Sequence, residues 1–426
     1  MTLNDAILAA TGGPTVNDGL RAYYLANGAI AGALPDLERQ FLLANGGVSG
    51  TNQDMWMQIL SAAGYTGTLN DMLYQFWLAG GVIAFDPADM FTNGEVGVYY
   101  DPSDMSTLFQ DSAGTTPVTA AGQPVGLVLD KSGNGNHASQ ATASKRPILM
   151  QSPAGGVRNM LTYTEDFGNA VWQKYAGATV AANTITMVQN NSYVQAQTVS
   201  SAGNYIYWAV LSSNVPTQLR LVLADGADGD PSYTQLCNVT STPTYFQVLG
   251  DFTGGTYSGN RACQINGSSI ATVGAVVTVH EQQLELGSTA TPYQKVTNQY
   301  TATEEGVPSV WSLKFDGIDD FMSTAAIDFT GTDKISVWAG VMKAGGGTAA
   351  LCSMRAGYET GSFSLAMLNE AVDSRAALAA RTDNSPADYS CYTTSVLDNV
   401  PPFVLTGSID AAGASLNDVF KLQYNG

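Results

Sequence analysis

The sequence predicts a mainly β protein in which a small N-terminal α-helical domain precedes two β-sandwich domains, one inserted in the other. Apolar residues recur at helical spacing within residues 1–85. Later runs alternate between apolar and polar residues and end in Gly, Ser, Asn and Asp turns, as strands do. Similar turn-bearing runs flank the middle of the chain, and the resemblances of these segments given below imply the domains 1–85, a split domain of 94–150 plus 305–426, and an inserted domain of 155–300.

The composition is typical of long-lived extracellular β proteins. Of the 426 residues, 45% are apolar and 12% are charged, about half the usual charged fraction. The formal net charge is −19 with 17 basic residues, so no basic stripe is present to neutralise nucleic-acid phosphates. No run of roughly 18 apolar residues occurs, and membrane insertion is not expected. The start, Met1 to Asp5, has no signal-peptide pattern, which favours synthesis in a host cytoplasm and release by lysis.

Four cysteines are spread through the second half of the chain without a C-x-x-C pair: Cys237, Cys263, Cys352 and Cys391. This spacing argues against a zinc site and favours free, buried thiols. A bridge between Cys237 and Cys263 stays open as an alternative.

Residues 1–85 repeat a short helical unit. Each repeat opens on an Asn or Asp, which is suited to capping a helix, and closes on a Gly, which is suited to ending one. The helices are about ten residues long, shorter than the roughly 12–15 residues that an isolated helix needs in water. They must therefore pack on one another or on a partner.

Two interpretations of this segment stay open. It is either a self-contained helical domain or, as we favour, an anchor that buries its apolar faces against a larger assembly, because five short helices have little interior to share. The residues predicted to make the attachment are Tyr23, Tyr24, Phe41, Trp56, Phe76 and Trp77.

Two apolar runs end in tight Asp/Asn/Gly turns, one over 127–138 and the other over 311–321. Together they resemble the opening strands of concanavalin A-like (laminin G-like) lectin jelly rolls. The resemblance implies that Val125–Leu129 and Ser312–Phe315 belong to one sandwich, interrupted by the inserted domain. The turn at 316–320 is predicted to close a hairpin with 321–323.

The first of these turns carries clustered oxygen-bearing side chains at Asp130, Ser132, Asn134 and Asn136. Such a cluster raises calcium as the one cofactor to consider, with Asp130, Asn134 and Asn136 as ligands, although the bidentate acid of a closed calcium loop is lacking. A plain Asx turn is the favoured alternative, and no cofactor is expected.

The inserted domain opens on 159–172 and closes on 281–293, which ends in Gln-Leu-Glu-Leu-Gly-Ser-Thr-Ala-Thr-Pro-Tyr. Both ends resemble those of carbohydrate-binding-module-like jelly rolls. Such a resemblance implies sugar binding, in which an aromatic platform meets the apolar face of the ring and polar groups meet its hydroxyls. The aromatic residues predicted to serve are Trp172, Tyr175, Tyr205 and Tyr257.

The helical repeats of 1–85 resemble the N-terminal regions of tailed-bacteriophage fibre and virion-structural proteins. The resemblance implies a head- or tail-attached fibre or decoration subunit on the virion surface, without catalysis. Its partners would be other virion proteins (capsid, collar or tail), further copies in an oligomer such as a trimer, and host-surface glycans, but neither nucleic acid nor membrane. Two alternatives stay open: a glycan depolymerase or hydrolase with a carboxylate pair among the 36 acids, and an architectural clamp without sugar binding.

Overall fold

The computed structural model confirms a mainly β protein with N-terminal helices. It describes residues 3–11, 15–27, 33–44, 51–63, 65–78, 87–199, 202–225, 231–254, 260–267, 269, 271–329, 331–332, 334–342, 349–353, 363–367, 376–380, 389–392, 403–410 and 420–425. The chain divides into two compact units, Met1–Glu95 and Val96–Gly426.

The described residues of the first unit form five α-helices: α1 (Leu3–Thr11), α2 (Val16–Ala26), α3 (Leu34–Ala44), α4 (Asn52–Ala62) and α5 (Leu69–Leu78). Each helix contacts its neighbours in sequence, and α1 also contacts α5, so the five close a ring. The sequence repeat explains the shared interior, because Tyr24, Phe41, Ile59 and Phe76 follow one another at intervals of 17, 18 and 17 residues. All four are buried, with exposed fractions of 4% or less. None of the helices in the described part of the chain is long and apolar enough to cross a membrane.

Three helix starts, those of α2, α4 and α5, are capped by threonine rather than by the Asn or Asp that the sequence pattern indicated. Thr51 precedes α4, and its hydroxyl accepts the backbone N–H of Asp54 at 3.2 Å. In return, the Asp54 carboxylate accepts the backbone N–H of Thr51 at 2.8 Å, which completes a capping box. Thr68 and Asp71 repeat this exchange ahead of α5. The hydrogen bonds from the Thr51 side chain and backbone hold the pKa of Asp54 below its usual range.

The second unit contains short 3-10 helices and many strands. Its described 3-10 helices are Met105–Thr107 and Ala143–Lys145, and a further one, Pro87–Phe91, belongs to the first unit. The strands are β1 (Leu108–Phe109), β2 (Leu127–Val128), β3 (Ala138–Ser139), β4 (Ile148–Pro153), β5 (Gln173–Tyr175), β6 (Thr179–Ala181), β7 (Thr184–Thr186), β8 (Tyr193–Val199), β9 (Gly203–Ser213), β10 (Thr217–Asp225), β11 (Ser232–Val239), β12 (Thr244–Phe252), β13 (Asn260–Gly267), β14 (Val276–Leu286), β15 (Gln294–Asn298), β16 (Thr301–Glu304), β17 (Ser309–Lys314), β18 (Lys334–Val341), β19 (Ala349–Ser353), β20 (Phe363–Met367), β21 (Ala376–Ala380), β22 (Tyr389–Tyr392), β23 (Phe403–Asp410) and β24 (Phe420–Asn425).

Strands β5 to β14 form a sandwich of two five-stranded antiparallel sheets. One sheet has the order β11-β10-β13-β8-β5 and the other the order β12-β9-β14-β7-β6. Alternate residues of both sheets fill one shared core, which includes Trp172, Tyr205, Tyr207, Leu221 and Ile265. Because the side chains of a strand alternate between its two faces, the residues between these core positions lie on the outer faces. Cys237 and Cys263 are free thiols in this core.

Residues on either side of the sandwich pair with each other. Strand β17 pairs antiparallel with β4, and β15, β16, β4 and β17 form one sheet. Val125 and Val128 lie in a buried cluster against which Trp311 and Leu313 pack. The predicted hairpin around 316–320 is wrong: β17 takes β4 as its partner, and Ser323 instead bridges Ser139.

The remaining described strands form three small antiparallel sheets, in the orders β1-β2-β3, β18-β23-β24 and β19-β20-β21-β22. The assignment of 94–150 plus 305–426 to a single lectin-like domain, and of 1–85 and 155–300 to separate domains, stays a prediction.

Candidate functional site

The aromatic residues predicted to attach the helical unit to a partner form its core instead. Tyr24, Phe41, Trp56, Phe76 and Trp77 are at most 3% exposed, and the partly buried Tyr23 packs against them. Their rings meet mostly edge-on or tilted, with centroids 4.8–6.5 Å apart. The closed ring of helices supplies the interior that the sequence argument considered too small. These six side chains therefore stabilise the unit, and any attachment surface must use other residues.

The Glu38 carboxylate links side chains of this core by hydrogen bonds. Glu38 accepts the indole N–H of Trp56 at 2.8 Å and the amide N–H of Asn52 at 2.9 Å. The Tyr24 hydroxyl donates to the same carboxylate at 3.4 Å. Burial, reinforced by the Glu38 charge, raises the pKa of Tyr24 far above its ordinary value, so this phenol stays a donor.

The turn at Asp130 is an Asx-type turn whose oxygens are already committed. The carboxylate accepts backbone N–H groups from Tyr99, Ser132 and Asn136 and the Ser132 hydroxyl, at 2.8–3.0 Å. Asn134 and Asn136 point their amide N–H groups at the Gly97 carbonyl oxygen, at 3.2 and 3.0 Å. Burial opposes ionisation of Asp130, but the backbone N–H groups outweigh it and lower its pKa. Because both carboxylate oxygens are occupied and the amides present hydrogens rather than oxygens, Asp130, Asn134 and Asn136 do not fit a calcium ion.

A second acidic turn, formed by Asp316, Asp319 and Asp320, brings three carboxylates within 4.8 Å of one another. They belong to one exposed turn rather than to facing strands. Asp316 accepts the backbone N–H of Ile318 at 2.8 Å and those of Asp319 and Asp320 at 3.2 Å. Asp319 also pairs with Lys145 at 3.3 Å. The geometry is that of a structural turn, without the cleft that a pair of hydrolytic carboxylates needs.

Two of the four predicted sugar-binding aromatics are core residues. Trp172 is fully buried, meets Phe167 edge-on at 4.8 Å and donates its indole N–H to the Tyr163 carbonyl oxygen at 3.0 Å. Tyr205 is 1% exposed and packs on Phe252. Neither ring has a face open to a ligand, so these two predictions are wrong. Tyr257 lies outside the described residues.

The fourth residue, Tyr175, lies on an outer face of the sandwich. It is 37% exposed on the edge strand β5 and stacks on Tyr193 of β8, with ring centroids 4.5 Å apart and 12° between the ring planes. The two residues are direct cross-strand partners, which explains the stacking. Burial, and then the neighbouring Tyr175, raise the pKa of Tyr193. The pair presents a flat aromatic surface at one side of the sheet.

The strand register continues this surface across the sheet. One row of outward residues runs Leu236, Arg220, Asn266, Tyr193 and Tyr175, each opposite the next on the neighbouring strand. A parallel row runs Thr234, Val222, Gln264, Gln195 and Gln173. We call this surface the amide face and define it by Gln173, Tyr175, Tyr193, Gln195, Arg220, Gln264 and Asn266.

Hydrogen bonds between side chains hold the amide face in place. Gln264 donates to Gln195 at 2.8 Å, and Asn266 donates to Gln264 at 3.2 Å. Arg220 donates to Asn266 at 3.4 Å and to Asn191 at 2.9 Å. A primary amide carries two N–H donors and an acceptor oxygen, so each bond in the ladder leaves further donors or acceptors. The amides are thereby oriented before any ligand arrives.

Such a surface has the chemistry to bind a polyol ring. A sugar presents an apolar face, which suits an aromatic ring, and hydroxyl edges that both donate and accept hydrogen bonds. Primary amides match hydroxyls because they also do both. Among the described residues, the outward positions of β5, β8, β10, β11 and β13 carry no Asp or Glu. The described strand positions of this face therefore offer no carboxylate as a general acid or base.

The outer face of the second sheet differs because the chain covers it. We call it the covered face and define it by Ile206, Trp208, Gln283 and Glu285, all at most 3% exposed. After β14 the chain returns across these residues. Glu285 accepts the Thr291 backbone N–H and hydroxyl at 2.9 and 2.6 Å, and the Trp208 indole N–H at 3.2 Å. The polar groups here are satisfied by the chain itself.

A cleft of about 330 Å³ lies at the edge of the sandwich, between β11 and β12. Its lining residues are Tyr233, Thr234, Gln235, Gln247, Val248 and Leu249. No carboxylate is among them, so this cleft also lacks the acids of a glycan hydrolase.

Comparisons with known proteins found similar solved structures over about a third of the chain. No family model matches, and no curated protein sequence matches. Similar solved structures include a family 4 carbohydrate-binding module (10% identity, 33% of this chain and 88% of that chain, TM-score 0.22). Another is a family 61 module in complex with β-1,4-galactotriose (11% identity, 31% of this chain and 100% of that chain, TM-score 0.23). A third is the enzymatically active domain of bacteriophage CBA120 tailspike protein 4 (16% identity, 30% of this chain and 21% of that chain, TM-score 0.25).

Sequence reasoning missed most of the amide face. Gln195, Arg220, Gln264 and Asn266 belong to it, and none of them was singled out. A signal was present in Tyr193-Val-Gln-Ala-Gln, where large polar side chains alternate with small apolar ones. Glutamines at successive outward positions of a strand indicate a surface retained for hydrogen bonding.

Proposed function

We propose that this chain is a non-enzymatic glycan-binding protein and that the amide face of the 155–300 sandwich is its binding site. One observation carries the proposal: a stacked tyrosine pair continues directly into a hydrogen-bonded ladder of amides on an outer sheet face. Aromatic rings hold the apolar side of a sugar, and oriented amides hold its hydroxyls.

The wider proposal places this module on a bacteriophage virion, in a head- or tail-attached fibre or decoration subunit. The resemblance of the 1–85 repeats to virion proteins supports it. The helical unit would attach the chain to capsid, collar or tail through its outer surface, and the outer domains would meet host-surface glycans. Many copies in one particle, each binding weakly, would together bind strongly through avidity.

A glycan array with the full chain tests the binding proposal. We expect binding that is lost in Tyr193→Ala and kept in Tyr245→Ala, an exposed tyrosine on the other sheet. Release of reducing sugar from a polysaccharide by the purified protein would instead support the depolymerase alternative. Complete silence on the array would contradict the glycan proposal and favour the architectural clamp.

Deletion of residues 1–85 tests the attachment proposal. We expect the shortened chain to keep its glycan affinity and to be absent from particles assembled in infected cells, as measured by mass spectrometry of purified virions. Normal incorporation of the shortened chain would contradict a role for the helices in attachment.

A further inference from the structure

A single positive charge lies on the amide face. Arg220 lies on β10, the second strand of its sheet, in the row that leads through Asn266 to the tyrosine pair. Its only described partners are two neutral amide oxygens, those of Asn191 and Asn266. Its Nε is buried without a hydrogen-bond partner among the described residues. The guanidinium is therefore held in position through Nη2, and its Nη1 donors make no hydrogen bond among the described residues.

Several other cations of the same unit are paired with carboxylates. Lys131 pairs with Asp101 and Asp104, Arg158 with Glu304 at 2.8 Å, and Lys295 with Glu165. In a protein with 36 acidic residues and 17 basic ones, carboxylates are abundant partners. The outward positions around Arg220 nevertheless hold amides, hydroxyls and apolar groups in the described strands. None of these described positions supplies a carboxylate to the Arg220 guanidinium.

We infer that the glycan bound at the amide face carries a carboxylate, as a uronic acid does, and that Arg220 binds this carboxylate. The inference rests on the proposed function. The planar guanidinium matches a carboxylate with two parallel N–H···O hydrogen bonds, which a neutral hydroxyl does not reproduce. Asn191 and Asn266 orient the guanidinium, while Tyr193 and Tyr175 receive a neighbouring sugar ring along the same row.

The net charge of −19 does not prevent this binding. Charges separated by more than about 8 Å are largely screened at physiological ionic strength, so the local arrangement decides. Around Arg220 the described outward positions carry no negative charge, and the first charge that the anion meets is positive.

Matched oligosaccharide pairs test the inference on the full chain. The acidic probes are oligogalacturonate, oligomannuronate and hyaluronan oligosaccharides, each compared with its carboxyl-reduced counterpart. A sulphated neutral oligosaccharide is added to separate carboxylate from sulphate recognition. We expect at least one acidic probe to bind roughly 10- to 100-fold more tightly than its reduced form, the factor of one charge-assisted hydrogen-bonded pair.

Variants locate that preference. Arg220→Gln should bind both members of a pair with the same affinity, because it lacks the cation that distinguishes them. Arg220→Lys keeps the positive charge but cannot make the two parallel N–H···O hydrogen bonds of a guanidinium. It should retain only part of the preference for the acidic probe. Lys174→Gln is the matched control. This substitution removes one positive charge from β5, on the side of the strand opposite Tyr175, and should leave the preference for the acidic probe intact. Thermal unfolding of each variant shows whether it is folded.

Each outcome separates the inference from the proposed function. Equal binding of acidic and reduced probes, preference for the sulphated probe, or a preference that survives in Arg220→Gln overturns the carboxylate assignment and leaves glycan binding standing. If no acidic, reduced or sulphated probe binds, the proposed function fails and the inference with it.

Discussion

The two outer faces of the sandwich carry similar residues but differ in whether the chain covers them. Both carry a large aromatic residue beside polar side chains, Tyr193 with Gln195 on one and Trp208 with Glu285 on the other. On the covered face the chain folds back over the sheet. There the Glu285 carboxylate accepts hydrogen bonds from the Thr291 backbone and hydroxyl and from the Trp208 indole N–H. On the amide face the side chains satisfy one another only in part, and the tyrosine pair stays half-exposed.

The difference shows that aromatic content alone does not locate a ligand site. What matters is whether another part of the chain already occupies the surface. A covered aromatic contributes to the free energy of unfolding, whereas an uncovered one beside oriented amides contributes to ligand affinity. Substitutions on the two faces should therefore affect different measurements.

The largest expected effect is on stability, from Trp208→Ala. Removing this buried indole leaves a cavity and deprives Glu285 of a donor, and should lower the free energy of unfolding by about 3–5 kcal/mol. Chemical denaturation measures the loss. At a temperature where the variant is folded, glycan affinity should be unchanged. A matching loss of affinity would mean that the two faces are not separate in function.

The reverse result is expected for Tyr193→Ala. Loss of the stacked ring should weaken glycan binding by roughly tenfold or more, as for the central aromatic residues of other interfaces. Stability should change by less than in Trp208→Ala, because Tyr193 is only partly buried. Titration calorimetry measures the affinity, and Tyr193→Phe is the control that keeps the stack. Unaltered binding by Tyr193→Ala would place the site elsewhere.

A smaller effect is expected from a single amide. Gln264→Ala removes the central member of the ladder and should weaken binding by roughly five- to tenfold, the equivalent of one hydrogen bond. Gln247→Ala is the matched control, since this glutamine is exposed on β12 of the other sheet. The comparison between the faces is contradicted if the two variants lose the same affinity.

No effect at all is expected from pH on the binding of a neutral, carboxyl-reduced oligosaccharide. Amides do not titrate, and burial raises the pKa of Tyr193 above its ordinary value of 10.0, so its phenol stays protonated over the working range. The dissociation constant should stay within about twofold from about pH 5 to about pH 9. A sharp change in the dissociation constant within this pH range would reveal a titrating group at the site. The site would then include residues beyond the amide face.

Local features of the fold were predictable, because they depend on neighbouring residues. The alternation in 193–199 and 276–286 predicted β8 and β14 with the bounds observed, and the Gly-bounded repeats predicted short helices. Partners distant in sequence were not predictable from turn chemistry. The Asp316 turn has the composition of a hairpin, yet β17 pairs with β4, far earlier in the chain.

The site was predictable only in part for a related reason. Tyr205-Ile-Tyr-Trp208 alternates clearly, but alternation does not say which face is inside. Tyr205 points into the core and Trp208 points outward beneath the returning chain, so neither is a platform. Tyr175 was identified because it is aromatic, whereas Arg220 and Gln264 became visible only when the strand register placed them in the same rows.

The contact between α1 and α5 has a consequence for how the helical unit unfolds. An open array of repeats has two end repeats, which can fray one at a time and need polar caps. Here the first and last helices cap each other, so the array has no ends. Loss of any one helix would expose the aromatic interior to water, and the unit should melt in a single cooperative step rather than repeat by repeat.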